Sequence, residues 1–210
     1  MRYSKGNPLR ITLIGLAGMV LLTGCGPFYG IFVDWWMPKP KVKAEYNMSE
    51  KKVLIWVDDF SSGGRSAMLR RELTLALQEE LIKHNAVGSV VDYDKVIHLR
   101  YQNPKLAKVS IQQIGQKLEA QEVLYVMIDK FTLHHEAGEG YYQGSIGGVC
   151  KIIDSETGKQ QWPAGQTHRA FNVTESVTTG KGETFEEQQV RQVCREAVEK
   201  IAPNFYKHKK

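Results

Sequence analysis

Two adjacent carboxylates, Asp58 and Asp59, close the run "KKVLIWVDD" and are followed at once by "FSSGGRS". Paired carboxylates can do acid–base work, and a glycine pair ahead of a helix can hold an anion on free backbone amides. Gly63 and Gly64 occupy that position, but the phosphate-loop spacing of glycine, four residues, then Gly-Lys-Ser/Thr is absent. The same glycines suit a plain turn with Ser66 as the N-cap. A second group, His134, His135 and Glu136 in "LHHEAGEG", has metal-ligand residue types. Successive side chains on a strand point to opposite faces, so both histidines reach one ion only through a bulge. Zinc requires three or four ligands, which this pair does not supply. Ser145 in "YQGSIGG" lacks the glycine-X-serine-X-glycine spacing of a nucleophile elbow. Tyr141 and Tyr142, just before it, offer large contact area at low entropic cost, or else form an aromatic strand facing the core. No cofactor, metal or catalytic group is expected from these patterns.

The elements that must position these residues are readable from periodicity. Val53 to Val57 is a continuous apolar run with β-branched residues, the pattern of a strand covered on both faces. Leu69, Leu73, Ala76, Leu77 and Leu81 then recur at helical spacing. "AVGSVVDYDKVI" supplies a second strand around Ser89–Val91 and a short helix ending before Pro104, whose preceding residue disfavours helix. Ser110 and Gln113 form a capping-box pattern that opens another helix. "EVLYVMIDKFTLHH" is the strongest strand signal. "GSIGGVCKIIDSETGKQQWP" reads as two strands around a turn in which Gly158 is available for positive φ. "THRAFNVTESVT" is a further strand. The helix in "TFEEQQVRQVCREAVEKIAPNFY" places Val190, Cys194, Ala197 and Ile201 on its buried stripe. The predicted order is β-α-β-α-α-β-β-β-β-α: a single α/β domain in which a β-α-β start feeds an antiparallel meander and a C-terminal amphipathic helix packs on the mixed sheet.

The first residues have a different character. Arg2, Lys5 and Arg10 precede the apolar stretch Ile11–Leu22, twelve residues against the roughly 20 needed to cross a bilayer as a helix. Positive charge, apolar core and small residues in that order make a secretory signal. The signal holds three of the positive charges in the net +5, so residues 25–210 carry +2. That balance gives no argument for a nucleic-acid partner, which normally needs a clustered basic face, and none is expected. Leu22-Thr23-Gly24-Cys25 resembles the bacterial lipobox. The resemblance implies that Cys25 carries thioether-linked diacylglycerol, that cleavage falls before it, and that the new amine is acylated (palmitate being the usual chain). Gly26, in place of the aspartate that retains such lipoproteins in the inner membrane, points to the periplasmic face of the outer membrane. The alternatives are an uncleaved anchor or a secreted chain with an incidental Cys25.

The expected organisation is a signal at 1–24, a lipidated tether at 25–50 and the domain at 51–210. In the tether, Trp35 and Trp36 suit a membrane interface or pack back on the domain, and Pro38 and Pro40 stiffen it. Cys150 and Cys194 remain; they either pair in an oxidising compartment or serve as small buried thiols.

The segments "KKVLIWVDDF", "LRRELTLALQEELIKHNAVGSVVD", "VSIQQIGQKLEAQEVLYVMID" and "IIDSETGKQQWP" together resemble a group of envelope lipoproteins over residues 50–205. That group includes the TolB amino-terminal domain, the curli-secretion lipoprotein and the lipoprotein activators of penicillin-binding proteins. Glu119-Ala120-Gln121 stands where the group usually has glycine-alanine-aspartate. The resemblance implies a non-catalytic adaptor that binds another envelope protein. The alternatives are a hydrolase-like enzyme using Asp58/Asp59 or His134/His135, or a subunit of an oligomeric secretion assembly.

Overall fold

The computed structural model describes residues 41–61, 66–103, 106, 109–136, 141–179 and 183–209. The chain divides into the unit Val42–His208 and a second unit of Met1–Lys41 with Lys209–Lys210, of which only Lys41 and Lys209 are described. The signal, Cys25, Trp35, Trp36, Gly63 and Gly64 lie outside the described residues.

The larger unit runs in the predicted order. Its elements are β1 (Met48–Asp59), α1 (Ser66–Lys83), β2 (Val87–Val90), α2 (Tyr93–Gln102) and α3 (Ile111–Lys117). There follow β3 (Glu122–Glu136), β4 (Tyr141–Asp154), β5 (Gln160–Trp162), β6 (Arg169–Thr179) and α4 (Glu183–Ile201), which continues as a 3-10 turn, Ala202–Phe205. The sheet order is β2-β1-β3-β4-β5, with β6 also paired to β4. β1 is parallel to both neighbours, with Val53 opposite Val90 on one side and Glu122 on the other. The rest is antiparallel: β3 and β4 pair from Glu122–Asp154 to Glu136–Tyr141. β5 takes Ile152 and Ile153, whereas β6 takes Tyr141 to Cys150, so the two share one edge of β4 end to end.

Both faces of β1 are covered, which is why its apolar run is unbroken. Val53, Ile55 and Val57 meet Leu69, Leu73, Leu77 and Leu81 of α1 and Val190, Cys194, Ala197 and Ile201 of α4 in one cluster. Leu54 and Trp56 face the other way, into a smaller cluster with Val96 of α2 and Ile114 of α3. The capping box at Ser110 and Gln113 forms as its spacing predicts. Gly158 holds φ +70° in the hairpin turn, a backbone region that other L residues rarely adopt.

The folded unit starts ahead of residue 51. Met48 is fully buried, and the Tyr46 hydroxyl donates to Glu122 Oε1 at 2.8 Å. Glu45 accepts from the Trp162 indole at 3.2 Å and pairs with Arg169, while the Glu45 and Tyr46 amides donate to the Asn204 carbonyl. Residues 45–50, assigned from sequence to the tether, therefore belong to the packed domain. Cys150 and Cys194 are free, buried thiols. Burial pushes both up to about 12, and Cys150 Sγ donates to the Arg169 carbonyl at 3.5 Å.

Candidate ligand site at the carboxyl end of the central strand

β1 ends at Asp58 and Asp59 because its parallel partner β3 stays in register only as far as Ile128, opposite Asp59. In open α/β sheets this strand end is where ligands settle. Trp56 and Asp58 fall on the side of β1 that faces α2 and α3. From α2, Arg100 reaches 43 residues back in sequence to donate to the Val57 carbonyl at 2.8 Å. The same Nη2 lies 3.2 Å from Asp58 Oδ1, and the guanidinium carbon stands 3.8 Å over the Trp56 ring. Burial pulls the Arg100 pKa down, and Asp58 opposes that by favouring the charged form. Tyr125 of β3 is pushed up to about 12, first by burial and then by the neighbouring charge of Asp58, to which it is hydrogen-bonded.

Asp59 is used differently. Its Oδ1 accepts from the Ser61 amide at 2.9 Å and from the Ser61 hydroxyl at 2.5 Å, closing a tight turn. Its Oδ2 is buried without a partner, and so is the Trp56 indole Nε1. Both residues line a cavity of about 420 Å³ whose walls include Arg70, Arg100, Val109 and Ile114. A neighbouring cavity of about 570 Å³ between α1 and α2 shares Arg70 and Arg100 and is bordered by Arg71, Tyr93 and Tyr101. The first volume falls in the range of small-molecule sites, roughly 300–1,000 Å³.

The two carboxylates singled out in the sequence are thus at one site, and both are committed to local structure. The histidine group is elsewhere. His134, His135 and Glu136 pair with Gln143, Tyr142 and Tyr141 near the far end of the β3–β4 ladder. His134 lies six residues beyond Ile128, about 20 Å along the strand at the usual rise. The side chains of His134, His135, Glu136, Tyr141 and Tyr142 lie outside the described residues. Among the described residues no group of three His, Cys, Asp or Glu side chains is arranged to hold a metal. Sequence reasoning passed over Arg70, Arg100 and Trp56. The signal for Arg100 was present: it follows buried Val96 by four residues, so it lies on the inward stripe of α2.

No family model matches the chain, and no curated protein matches it either. Solved structures with similar folds include a lipoprotein, GNA1162 of Neisseria meningitidis, at 13% identity and TM-score 0.48, covering 72% of this chain and 97% of that one. The PelC dodecamer of Paraburkholderia phytofirmans aligns at 11% identity and TM-score 0.46, covering 81% of this chain and 99% of the other. Protein XCC0632 of Xanthomonas campestris aligns at 9% identity and TM-score 0.46, over 75% and 85% of the two chains.

Proposed function

We propose that the protein is a lipid-anchored lipoprotein of the bacterial envelope whose α/β domain acts as a non-catalytic adaptor for another envelope protein. The observation that carries this reading is Leu22-Thr23-Gly24-Cys25 directly after a signal-type apolar core. Several acyl chains on Cys25 hold a protein at a membrane, since each buried methylene contributes about 0.8 kcal/mol. No described helix is long and apolar enough to cross a membrane. The adaptor part of the reading is supported by the use of Asp58 and Asp59, which tie down Arg100 and Ser61. Gly26 supports the outer membrane as the place of anchoring, and the pattern kinship with the TolB amino-terminal and curli-secretion lipoproteins belongs to the same reading. Tyr141 and Tyr142, on the β4 edge shared with β6, are the aromatic residues proposed to contact the partner.

Metabolic labelling with an alkynyl fatty acid tests the anchor: wild type takes the label and Cys25→Ala does not. Crosslinked pull-downs from envelopes then test the adaptor role. Tyr141→Ala and Tyr142→Ala lose the partner, whereas Asp58→Ala, His134→Ala and His135→Ala keep it and complement a deletion strain. An Asp58→Ala protein that folds and binds but fails to complement would replace the adaptor with an enzyme.

A further inference from the structure

The larger of the two cavities, about 570 Å³, opens between α1 and α2. Its cations are Arg70 and Arg71 from α1 and Arg100 from α2, and no acid stands in its described wall. The three arginines are not equally free. Arg100 is balanced by Asp58. Arg71 pairs with Glu72 at 3.0 Å, yet its side chain stays 56% exposed. Arg70 makes no hydrogen bond or ion pair with any described residue, and it lies close enough to Arg100 to disfavour that residue's charge. All three converge on Tyr93: burial raises its pKa, and the charges of Arg100, Arg70 and Arg71 oppose that rise. The Tyr93 hydroxyl also has no hydrogen bond with a described residue, so its O–H is left to donate. The rim is aromatic and open to water. Tyr101, beside this cavity, is 83% exposed, and Phe60, beside the adjoining one that shares Arg70 and Arg100, is 69% exposed. These are the two most exposed large apolar side chains among the described residues. Aromatic rings set next to free cations suit a boundary between water and hydrocarbon.

We propose that this face of the domain docks on an anionic phospholipid surface, with one phosphodiester headgroup seated between α1 and α2. Arg70 supplies the counter-charge, and Arg71 and the Tyr93 hydroxyl donate to the unesterified oxygens. One uncompensated cation matches the single charge of a phosphodiester, whereas a doubly charged phosphate monoester exceeds it. Met68 and Ile97 give the glycerol and the first methylenes an apolar wall. Tyr101 and Phe60 then rest at the level of the headgroups, and the arginines gain from the negative surface potential. The proposal rests on the anchored reading for the nearness of a bilayer, to which it adds an orientation of the domain. The face itself is present whether or not Cys25 is acylated.

The test uses protein purified from envelopes and vesicles of phosphatidylcholine, with or without added phosphatidylglycerol. A trace of either lipid carries a photoactivatable diazirine near its glycerol, and the adducts are mapped by mass spectrometry. The expected result is labelling within residues 67–71 and 93–101 by the phosphatidylglycerol probe, and about tenfold less by the phosphatidylcholine probe. Arg70→Gln lowers the labelling several-fold and Arg70→Gln with Arg71→Gln about tenfold or more, while Arg70→Lys recovers part of it. Vesicle flotation on pure phosphatidylcholine reports the Cys25 anchor separately, so a chain that floats there without lipid-selective labelling sinks the docking face and spares the anchor. Equal labelling by the two lipids, or adducts confined to other elements, would overturn the proposal. Glycerophosphoglycerol, the headgroup without chains, should leave the labelling in place; abolition by it would give the cavity to a soluble phosphodiester instead. Labelling that falls as the protein is concentrated would assign the face to a second copy of the chain and equally overturn the proposal. Unchanged melting of the arginine variants keeps misfolding from being read as lost contact.

Discussion

Arg100 stacks on Trp56 with its guanidinium carbon 3.8 Å from the ring centroid, so that α2 is fastened to the central strand by a cation lying on an indole. Cutting this fastening leaves Asp58 without its ion partner. Arg100→Met should lower stability by about 2–3 kcal/mol, because removing one member of a part-buried pair strands the other. Asp58→Asn in the same chain should restore part of the loss. Urea midpoints of the two single variants and the double variant give the coupling, and additive effects would dissociate the pair.

Glu122 gives the domain a pH dependence of known sign. Its side chain is 3% exposed, hydrogen-bonded by Tyr46 and 3.9 Å from Lys51. Burial raises its pKa above the ordinary carboxylate value, against the opposing pull of Tyr46 and Lys51. A raised folded-state pKa means that this group's contribution is full below the unfolded value, near 4.5, and is lost as pH rises through the folded value. Glu122→Gln removes the titration. Its melting temperature relative to wild type should therefore climb between pH 4 and pH 7. A flat difference across that window would mean that the carboxylate is fully compensated.

The thiols should be silent in the folded protein. With both thiols pushed to about 12, Cys150 and Cys194 carry almost no thiolate at pH 8. In Cys25→Ala protein, Ellman's reagent should find no thiol under native conditions and two in urea. Finding none in urea before reduction would mean that the two are bridged.

Gly148 marks the tightest point of the β3–β4 ladder. A β-carbon there would sit 2.1 Å from the Met127 carbonyl oxygen and 3.0 Å from the Phe171 ring. Gly148→Ala should cost about 3 kcal/mol, the upper end of overpacking, since backbone cannot move aside cheaply. At Gly147 the closest atom is the end of the Asn172 side chain, 3.2 Å away, so Gly147→Ala should cost well under half as much. Thermal unfolding of both variants checks the contrast.

The features that sequence revealed were those encoded within one element. The unbroken Val53–Val57 run, the α4 stripe, the Ser110 capping box and the positive-φ Gly158 each follow from residues within a few positions of one another. The site was half legible for the same reason. Asp58 and Asp59 announce themselves as neighbours at a strand end. Arg100, 42 residues from Asp58, and Tyr125, on a different strand, join them only through tertiary packing. The start of the domain was misplaced because "AEYNMSE" is polar and short. What holds it is long-range: Tyr46 to Glu122, Glu45 to Trp162 and Arg169, and both amides to Asn204.

The first strand of this sheet in sequence is also the one in the middle of the parallel region, between β2 and β3. Its hydrogen-bonded neighbours are made later: Val53 waits for Val90 and then for Glu122. A chain delivered amino terminus first therefore holds one edge of this apolar strand unpaired until Glu122–Ile128, about three-fifths of the way along the polypeptide, has appeared. Closing a loop of about 70 residues must precede the pairing with β3, a topology associated with slow folding. If the proposed signal exports the chain unfolded, late completion of the sheet would keep it threadable, and the same delay would expose the "VLIWV" segment to any holding chaperone along the way.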